Sequence, residues 1–152
     1  MKKAVFLNDT STRYHHGCVR VSGRIRTLLA ERGIAVIASN PAHMDWRRNA
    51  QVVAALKQSD LVVINGEGTL HGGAKRGTEL LDILSAEECR GQPVALVNSI
   101  WENNPPAWNA LLDRCDIVSV RDSRSAAELR NAGVTHARLA PDLSLTGLMA
   151  PS

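Results

Sequence analysis

The stretch Asp60–Gly73, with the sequence DLVVINGEGTLHGG, decides how the rest of the chain is interpreted. It begins as an apolar run, from Leu61 to Ile64, and then breaks into a glycine-rich turn. A run of β-branched residues that stops at a glycine cluster is typical of a buried strand followed by a loop. Because glycine permits close backbone approaches, this loop can bring N–H groups and the Glu67 carboxylate to one ligand. We therefore predict that it forms the floor of a binding site.

Predicted strands and helices alternate on both sides of this stretch. The strands are predicted at 4–7, 34–38, 61–64, 93–97, 116–120 and 137–140, and the helices at 18–32, 46–58, 74–90, 105–114 and 123–132. This alternation favours an α/β fold with a doubly wound, mostly parallel sheet of about six strands and helices on both faces. In the common strand order 3-2-1-4-5-6, the third and sixth strands would be the two edges of the sheet.

Length and composition narrow the class of protein. The 152 residues are expected to form one domain. The net charge is +3, but the basic residues are scattered, so we expect no nucleic-acid partner. Three widely spaced cysteines without a CxxC pair indicate a reducing compartment. No segment approaches the roughly 20 apolar residues of a membrane span, and the apolar run at the N-terminus is too short for a signal peptide. We expect a cytoplasmic protein with at most peripheral contact at the inner face of the membrane.

Polar residues gather where the predicted strands end, whereas fewer side chains suited to binding or catalysis lie at the opposite ends of the strands. Doubly wound sheets bind ligands at the carboxyl ends of their strands, so this asymmetry points to a site. The candidate substrate-binding residues are Asn8, Asp9, His15, Asn65, Gly66, Gly68, Thr69, His71, Asn98 and Arg121. The candidate catalytic residues are His16, Glu67 and Asp142.

The glycine loop does not fit a known nucleotide cradle. Its glycines have one residue too many for GxGxxG and follow the third strand rather than the first, and no GK[ST] follows. We therefore expect no dinucleotide and no other cofactor. His15, His16, His71, Cys18 and Glu67 have no regular ligand spacing, so no metal is expected either.

Several of these residues have two interpretations. Glu67 either hydrogen-bonds N–H groups of its own loop or acts as a general acid or base, with Asp142 as its natural partner. Arg121 either pairs locally with Asp122, which can cap the following helix, or holds a carboxylate or phosphate. His15 or His16 either binds an anionic ligand or is an ordinary loop histidine.

Three segments in this order resemble the polysaccharide pyruvyl transferase family: Asn65–Thr69 (NGEGT), Val118–Ser125 (VSVRDSRS) before a helix that ends at Gly133, and Leu139–Leu143 (LAPDL). The resemblance covers roughly residues 4–145. It implies a Rossmann-like domain of the type found in the N-terminal half of GT-B transferases. It also implies transfer of a pyruvyl group from phosphoenolpyruvate to a sugar acceptor, in the biosynthesis of capsule or other cell-envelope polysaccharides.

The chain departs from the family pattern in two respects. Glu67 and His71 stand in a turn that is usually all glycine followed by a hydrophobic pair and an acid. Residues 1–152 also correspond to the N-terminal half of a two-domain transferase, so we expect activity from a longer chain with a C-terminal domain. Two alternatives stay open: a retaining Kdo-type glycosyltransferase that uses Glu67, Asp142 and a nucleotide-activated sugar, and a domain that only binds a sugar or a partner.

Overall fold

The computed structural model describes residues 1–12 and 16–145. Within these residues, six strands and five α-helices alternate along the chain, which confirms the predicted α/β class. The strands are β1 (Lys2–Asp9), β2 (Ile34–Pro41), β3 (Leu61–Glu67), β4 (Val94–Ser99), β5 (Ile117–Val120) and β6 (Ala137–Leu139). The helices are α1 (His16–Glu31), α2 (Ala50–Leu56), α3 (Lys75–Leu81), α4 (Pro106–Leu111) and α5 (Ser123–Asn131).

The strands form an all-parallel sheet in the order β2-β1-β3-β4-β5-β6. The order 3-2-1-4-5-6 therefore does not apply to this chain: β3 lies inside the sheet, between β1 and β4, and the two edge strands are β2 and β6. Phe6 of β1 is paired with Val63 of β3. Periodicity identifies strands, but it does not say on which side of β1 the chain will add the third one. The winding direction reverses between β1 and β3, which makes this junction the switch point of the sheet.

The two faces of the sheet are covered unequally. Because parallel crossovers are right-handed, the connection from β1 to β2 lies on one face and the connections that run the other way lie on the opposite face. Helix α1 packs through Val21 and Ile25 against Phe6 and Val63. The other face holds the larger core, which includes Leu56, Leu80, Trp108 and Leu129 from the remaining helices. Helices thus lie on both faces, as predicted, and none of those in the described part of the chain is long and apolar enough to cross a membrane.

Several helices are shorter than their sequence patterns predict. The segment predicted as one helix at 46–58 is divided into a 3-10 helix, Trp46–Arg48, and α2. Asp45 caps the first piece by accepting a hydrogen bond from the Arg47 N–H, and Asn49 caps α2 by accepting one from the Val52 N–H at 3.3 Å. Helix α3 likewise ends at Leu81 and continues as two short 3-10 helices separated by Ala86 in an extended conformation. Local capping and extended backbone interrupt these apolar patterns without disturbing the sheet.

Candidate functional site

Three neighbouring strands in the centre of the sheet, β1, β3 and β4, have an uncommon backbone conformation at their carboxyl ends. Asn8 and Asn98, the second-last residues of β1 and β4, and Glu67, the last residue of β3, have φ values of 62°, 55° and 39°. Asparagine enters the left-handed region readily, whereas a glutamate does so only at a steric cost. The Glu67 carbonyl is held by the Ile100 N–H at 2.7 Å, so the neighbouring β4–α4 loop helps to maintain this geometry. Backbone strain at a strand end marks Glu67 as a candidate functional residue.

Asparagines tie the glycine loop to β1. The Asn8 amide donates to the Asn65 carbonyl at 2.7 Å and to Thr69 Oγ1 at 3.0 Å. The Asn65 amide donates in return to the Asn8 carbonyl at 3.3 Å. Asn65 is fully buried. Asn8, Asn65 and Thr69 therefore fix the position of the loop from beneath.

A cleft of about 390 Å³ opens beside this loop, and we call it the switch-point cleft. Its walls come from the first turns of α1, the end of β3, the end of β5 and the segment after β6. It is lined by His16, Gly17, Cys18, Val21, Glu67, Gly68, Arg121, Asp142 and Ser144. All three candidate catalytic residues thus line one cleft, together with two of the candidate binding residues, Gly68 and Arg121.

Asp142 reaches this cleft although β6 is an edge strand. The chain after β6 turns back over the sheet, and the Leu143 N–H donates to Asn98 Oδ1 at 2.9 Å. The Ser144 N–H donates to Asp142 Oδ1 at 2.9 Å and orients the carboxylate. The returning segment therefore brings Asp142 towards the central strands, which strand order alone does not predict.

Arg121 makes its ion pair with Asp142 rather than with its neighbour Asp122. The Arg121 Nη1 atom lies 3.6 Å from Asp142 Oδ2. Asp122 instead caps α5, accepting the Ser125 N–H at 2.7 Å. Of the two interpretations of this dipeptide, the helix-capping role of Asp122 is present, and the Arg121 guanidinium lies at the cleft.

Other candidate residues have partners away from the cleft. Asp9 accepts hydrogen bonds from Arg26 of α1 at 2.7 Å and from the Ser11 N–H at 2.9 Å. Burial raises the pKa of Asp9, but these hydrogen bonds and the Arg26 charge outweigh it, and the net pKa lies below the usual value. His71 lies on an exposed loop, with Nε2 3.7 Å from Glu102 Oε2.

The remaining candidates, Gly66, Asn98 and His15, are not among the described residues that line the cleft. Gly66 is buried so closely against Ser99 that a Cβ atom would lie 2.9 Å from the Ser99 Cα. Asn98 faces an apolar groove on the α1 side of the sheet. His15 falls outside the described residues. Among residues 1–12 and 16–145, no three His, Cys, Asp or Glu side chains are grouped so that they could hold a metal ion.

Sequence reasoning missed two buried hydroxyl groups next to Glu67. Thr10 Oγ1 lies 3.2 Å from Glu67 Oε1 and 2.9 Å from Ser22 Oγ. Ser22 is fully buried on the apolar face of α1, beside Val21 and Ile25. A serine within an otherwise apolar helix stripe was the signal that could have revealed this contact, because a buried hydroxyl needs a hydrogen-bond partner.

Comparison with known proteins agrees with this architecture. A search among curated proteins gave no match. The family model named polysaccharide pyruvyl transferase matches residues 6–151. This span contains all three segments that carry the resemblance and confirms it. The chain belongs to the polysaccharide pyruvyl transferase family.

Proposed function

We propose that the switch-point cleft takes part in transfer of a pyruvyl group from phosphoenolpyruvate to a sugar during surface polysaccharide biosynthesis. The observation that carries this proposal is the convergence of Glu67, Asp142 and Arg121 on one cleft at the switch point. Membership of the family supports the same reaction class. Ligands of doubly wound sheets bind at this position, so the fold and the side chains favour the same site.

The cationic groups of the cleft suit an anionic donor. The Arg121 guanidinium can hold a carboxylate or phosphate through two parallel hydrogen bonds. Its contact with Asp142 is long at 3.6 Å, and both side chains are partly exposed, so a ligand can compete for the guanidinium. His16 and the first turn of α1 line the same cleft. Peptide N–H groups at a helix start carry partial positive charge, which adds to the attraction for an anion.

The two carboxyl groups can divide the proton transfers that the reaction requires. A proton must reach the methylene carbon of phosphoenolpyruvate, while a sugar hydroxyl loses its proton and bonds to the central carbon. The bond from that carbon to the phosphate oxygen then breaks and phosphate leaves. A second sugar hydroxyl bonds to the same carbon, gives its proton to the departing phosphate and so closes the ketal. We assign Glu67 as the proton donor and Asp142 as the group that accepts the proton of the sugar hydroxyl. His16 is assigned to the departing phosphate.

We further propose that a C-terminal domain completes the site. Phosphoenolpyruvate carries several negative charges, and Arg121 is the one arginine or lysine among the described lining residues of the cleft. A second domain that faces the cleft would supply the missing cations and enclose the donor. A GT-B-like pairing of domains and a role in capsule synthesis remain predictions of the family resemblance, and a cytoplasmic location remains a prediction from the cysteine pattern and the short apolar run at the N-terminus.

The shared cleft also favours a second candidate, retaining glycosyl transfer. Glu67 and Asp142 would then act as acid and nucleophile on a nucleotide-activated sugar. The Arg121 contact occupies one Asp142 oxygen and leaves the other carboxylate oxygen with the Ser144 N–H. Both candidate reactions need Glu67, but pyruvyl transfer and glycosyl transfer release different products.

Product release distinguishes these candidates. The chain and any longer product of its gene are incubated with an oligosaccharide and either phosphoenolpyruvate or a nucleotide-activated sugar. Phosphate release supports pyruvyl transfer, nucleotide release supports glycosyl transfer, and sugar binding with neither product supports a binding domain. Glu67→Gln should abolish transfer, while Glu87→Gln, on an exposed 3-10 helix, should not change it. Full activity of the Glu67→Gln variant would show that Glu67 has a structural role rather than a catalytic one.

A further inference from the structure

We propose that Thr10 is a positioning residue for Glu67, held in place by Ser22 of α1. This inference rests on the proposed acid role of Glu67 and extends it to two residues outside the lining of the cleft. The structural observation is a chain of buried hydrogen bonds that runs from α1 through Thr10 to the Glu67 carboxyl group. Thr10 and Ser22 are 4% and 0% exposed, so bulk water does not compete for their hydroxyl groups.

Two hydrogen bonds clamp Thr10 to Ser22. The Thr10 N–H donates to Ser22 Oγ at 2.9 Å, which uses Ser22 as an acceptor. The Ser22 hydroxyl hydrogen is then available for Thr10 Oγ1, which lies 2.9 Å away. Since a hydroxyl has one hydrogen to donate and can also accept, this pairing leaves the Thr10 hydrogen free for another acceptor.

Two acceptors compete for that Thr10 hydrogen. The Cys18 carbonyl lies 2.8 Å from Thr10 Oγ1, and Glu67 Oε1 lies 3.2 Å from it. An ionised Glu67 carboxylate can only accept, so Thr10 must donate to it. A protonated Glu67 can donate to Thr10 instead, and the Thr10 hydrogen then goes to the Cys18 carbonyl.

The Thr10 hydroxyl therefore has a hydrogen-bonding arrangement for each protonation state of Glu67. A residue that gives up and regains a proton needs the same orientation in both states, because proton transfer requires close and well-aligned groups. Rotation of a hydroxyl hydrogen provides this without moving heavy atoms. The Asn65 amide, 3.5 Å from Thr10 Oγ1, adds a further polar neighbour on the β3 side.

The test compares Thr10→Val, which keeps the shape but removes the hydroxyl, with Thr10→Ser, which restores it. Thr10→Val should lower kcat for phosphate release by about tenfold or more, with KM within about twofold, because an aligning hydrogen bond is lost. Thr10→Ser should recover most of the rate, and Ser22→Ala should give an intermediate loss. Thr27→Val, at an exposed position of α1, is the matched control. Wild-type kcat in Thr10→Val would overturn the proposal.

Crystal structures of the same variants separate this inference from the proposed function. In Thr10→Val the Glu67 carboxyl group should move by about 1 Å or more, and in Thr10→Ser it should return to its position in the wild type. An unmoved carboxyl group in Thr10→Val overturns the positioning role, whatever the activity. If the wild type releases no phosphate, the proposed function fails, and the carboxyl positions still decide whether Thr10 orients Glu67.

Discussion

The Arg121 guanidinium lies 3.6 Å from the Asp142 carboxylate, which joins the end of β5 to the segment that follows β6. Both side chains are partly exposed and line the switch-point cleft. An ion pair of this kind contributes only about 0 to 1 kcal/mol to stability because water screens it. Its position is therefore more relevant to ligand binding than to folding.

Replacement of Arg121 should separate binding from stability. We expect Arg121→Gln to weaken phosphoenolpyruvate binding by about tenfold or more, since a charge-assisted contact to the donor is lost. The free energy of unfolding should change by less than about 1 kcal/mol. Calorimetric titration with phosphoenolpyruvate and urea unfolding measure the two effects. Arg124→Gln, at an exposed position in the first turn of α5, is the control, and equal donor affinity in the two variants would contradict the assignment.

The left-handed backbone of Glu67 predicts an unusual order of stability. Because φ is 39° there, a residue with a Cβ is strained, and glycine is not. Glu67→Gly should therefore be more stable than Glu67→Ala by about 1 kcal/mol, the reverse of the usual preference. Urea unfolding of the two variants checks this order. Greater stability of the alanine variant would show that the backbone relaxes at this position.

Close packing of β3 on β4 makes Gly66 intolerant of a side chain. An added Cβ would lie 2.9 Å from the Ser99 Cα and would also overlap the Ser99 side chain. Gly66→Ala should lower the free energy of unfolding by about 2 kcal/mol or more, because both strands must shift. Two residues along, a Cβ on Gly68 meets nothing within 4 Å, so Gly68→Ala should be nearly neutral. Thermal unfolding of both variants tests the contrast, and similar melting temperatures would refute it.

The ion pair between the buried Asp9 and the partly exposed Arg26 predicts a dependence of stability on pH. The pKa of Asp9 lies below its usual value of 3.8 in the folded chain, so the ionised carboxylate favours folding above that pH. This contribution should be lost as the pH falls below 3.8 and through the lower pKa of the folded state.

Replacement of Arg26 should show how much its ion pair with Asp9 contributes to stability. At pH 6, Arg26→Gln should lower the free energy of unfolding by about 1 to 2 kcal/mol, because the carboxylate loses a charged donor. The difference from the wild type should shrink as Asp9 becomes protonated. Urea unfolding between pH 6 and pH 3 measures it, with the exposed Arg20→Gln as the control. The Arg26 guanidinium also lies over the Phe6 ring, 5.4 Å from its centroid, and a difference that stays constant with pH would show that Arg26 acts through this packing instead.

Local patterns allowed much of the fold to be predicted. The apolar run before Gly66 is β3, and the alternation of such runs with amphipathic segments yields six parallel strands. Helix lengths were less predictable, since Asn49 starts a new helix through a side-chain hydrogen bond within a continuous apolar pattern. The position of β3 in the sheet could not be predicted, because both sides of β1 are compatible with the same periodicity and the same crossover handedness.

The sequence by itself determined that Glu67 stands where a buried strand ends and that His16, Arg121 and Asp142 follow other strands at the carboxyl end of the sheet. Only the tertiary structure decided which of them share a cleft. Asp9 was equally placed in sequence, yet Arg26 engages it, whereas the chain after β6 folds back and carries Asp142 to Arg121. The physical reason is that strand positions follow from local hydrophobic periodicity, while side-chain partners depend on strand order and on contacts between distant segments.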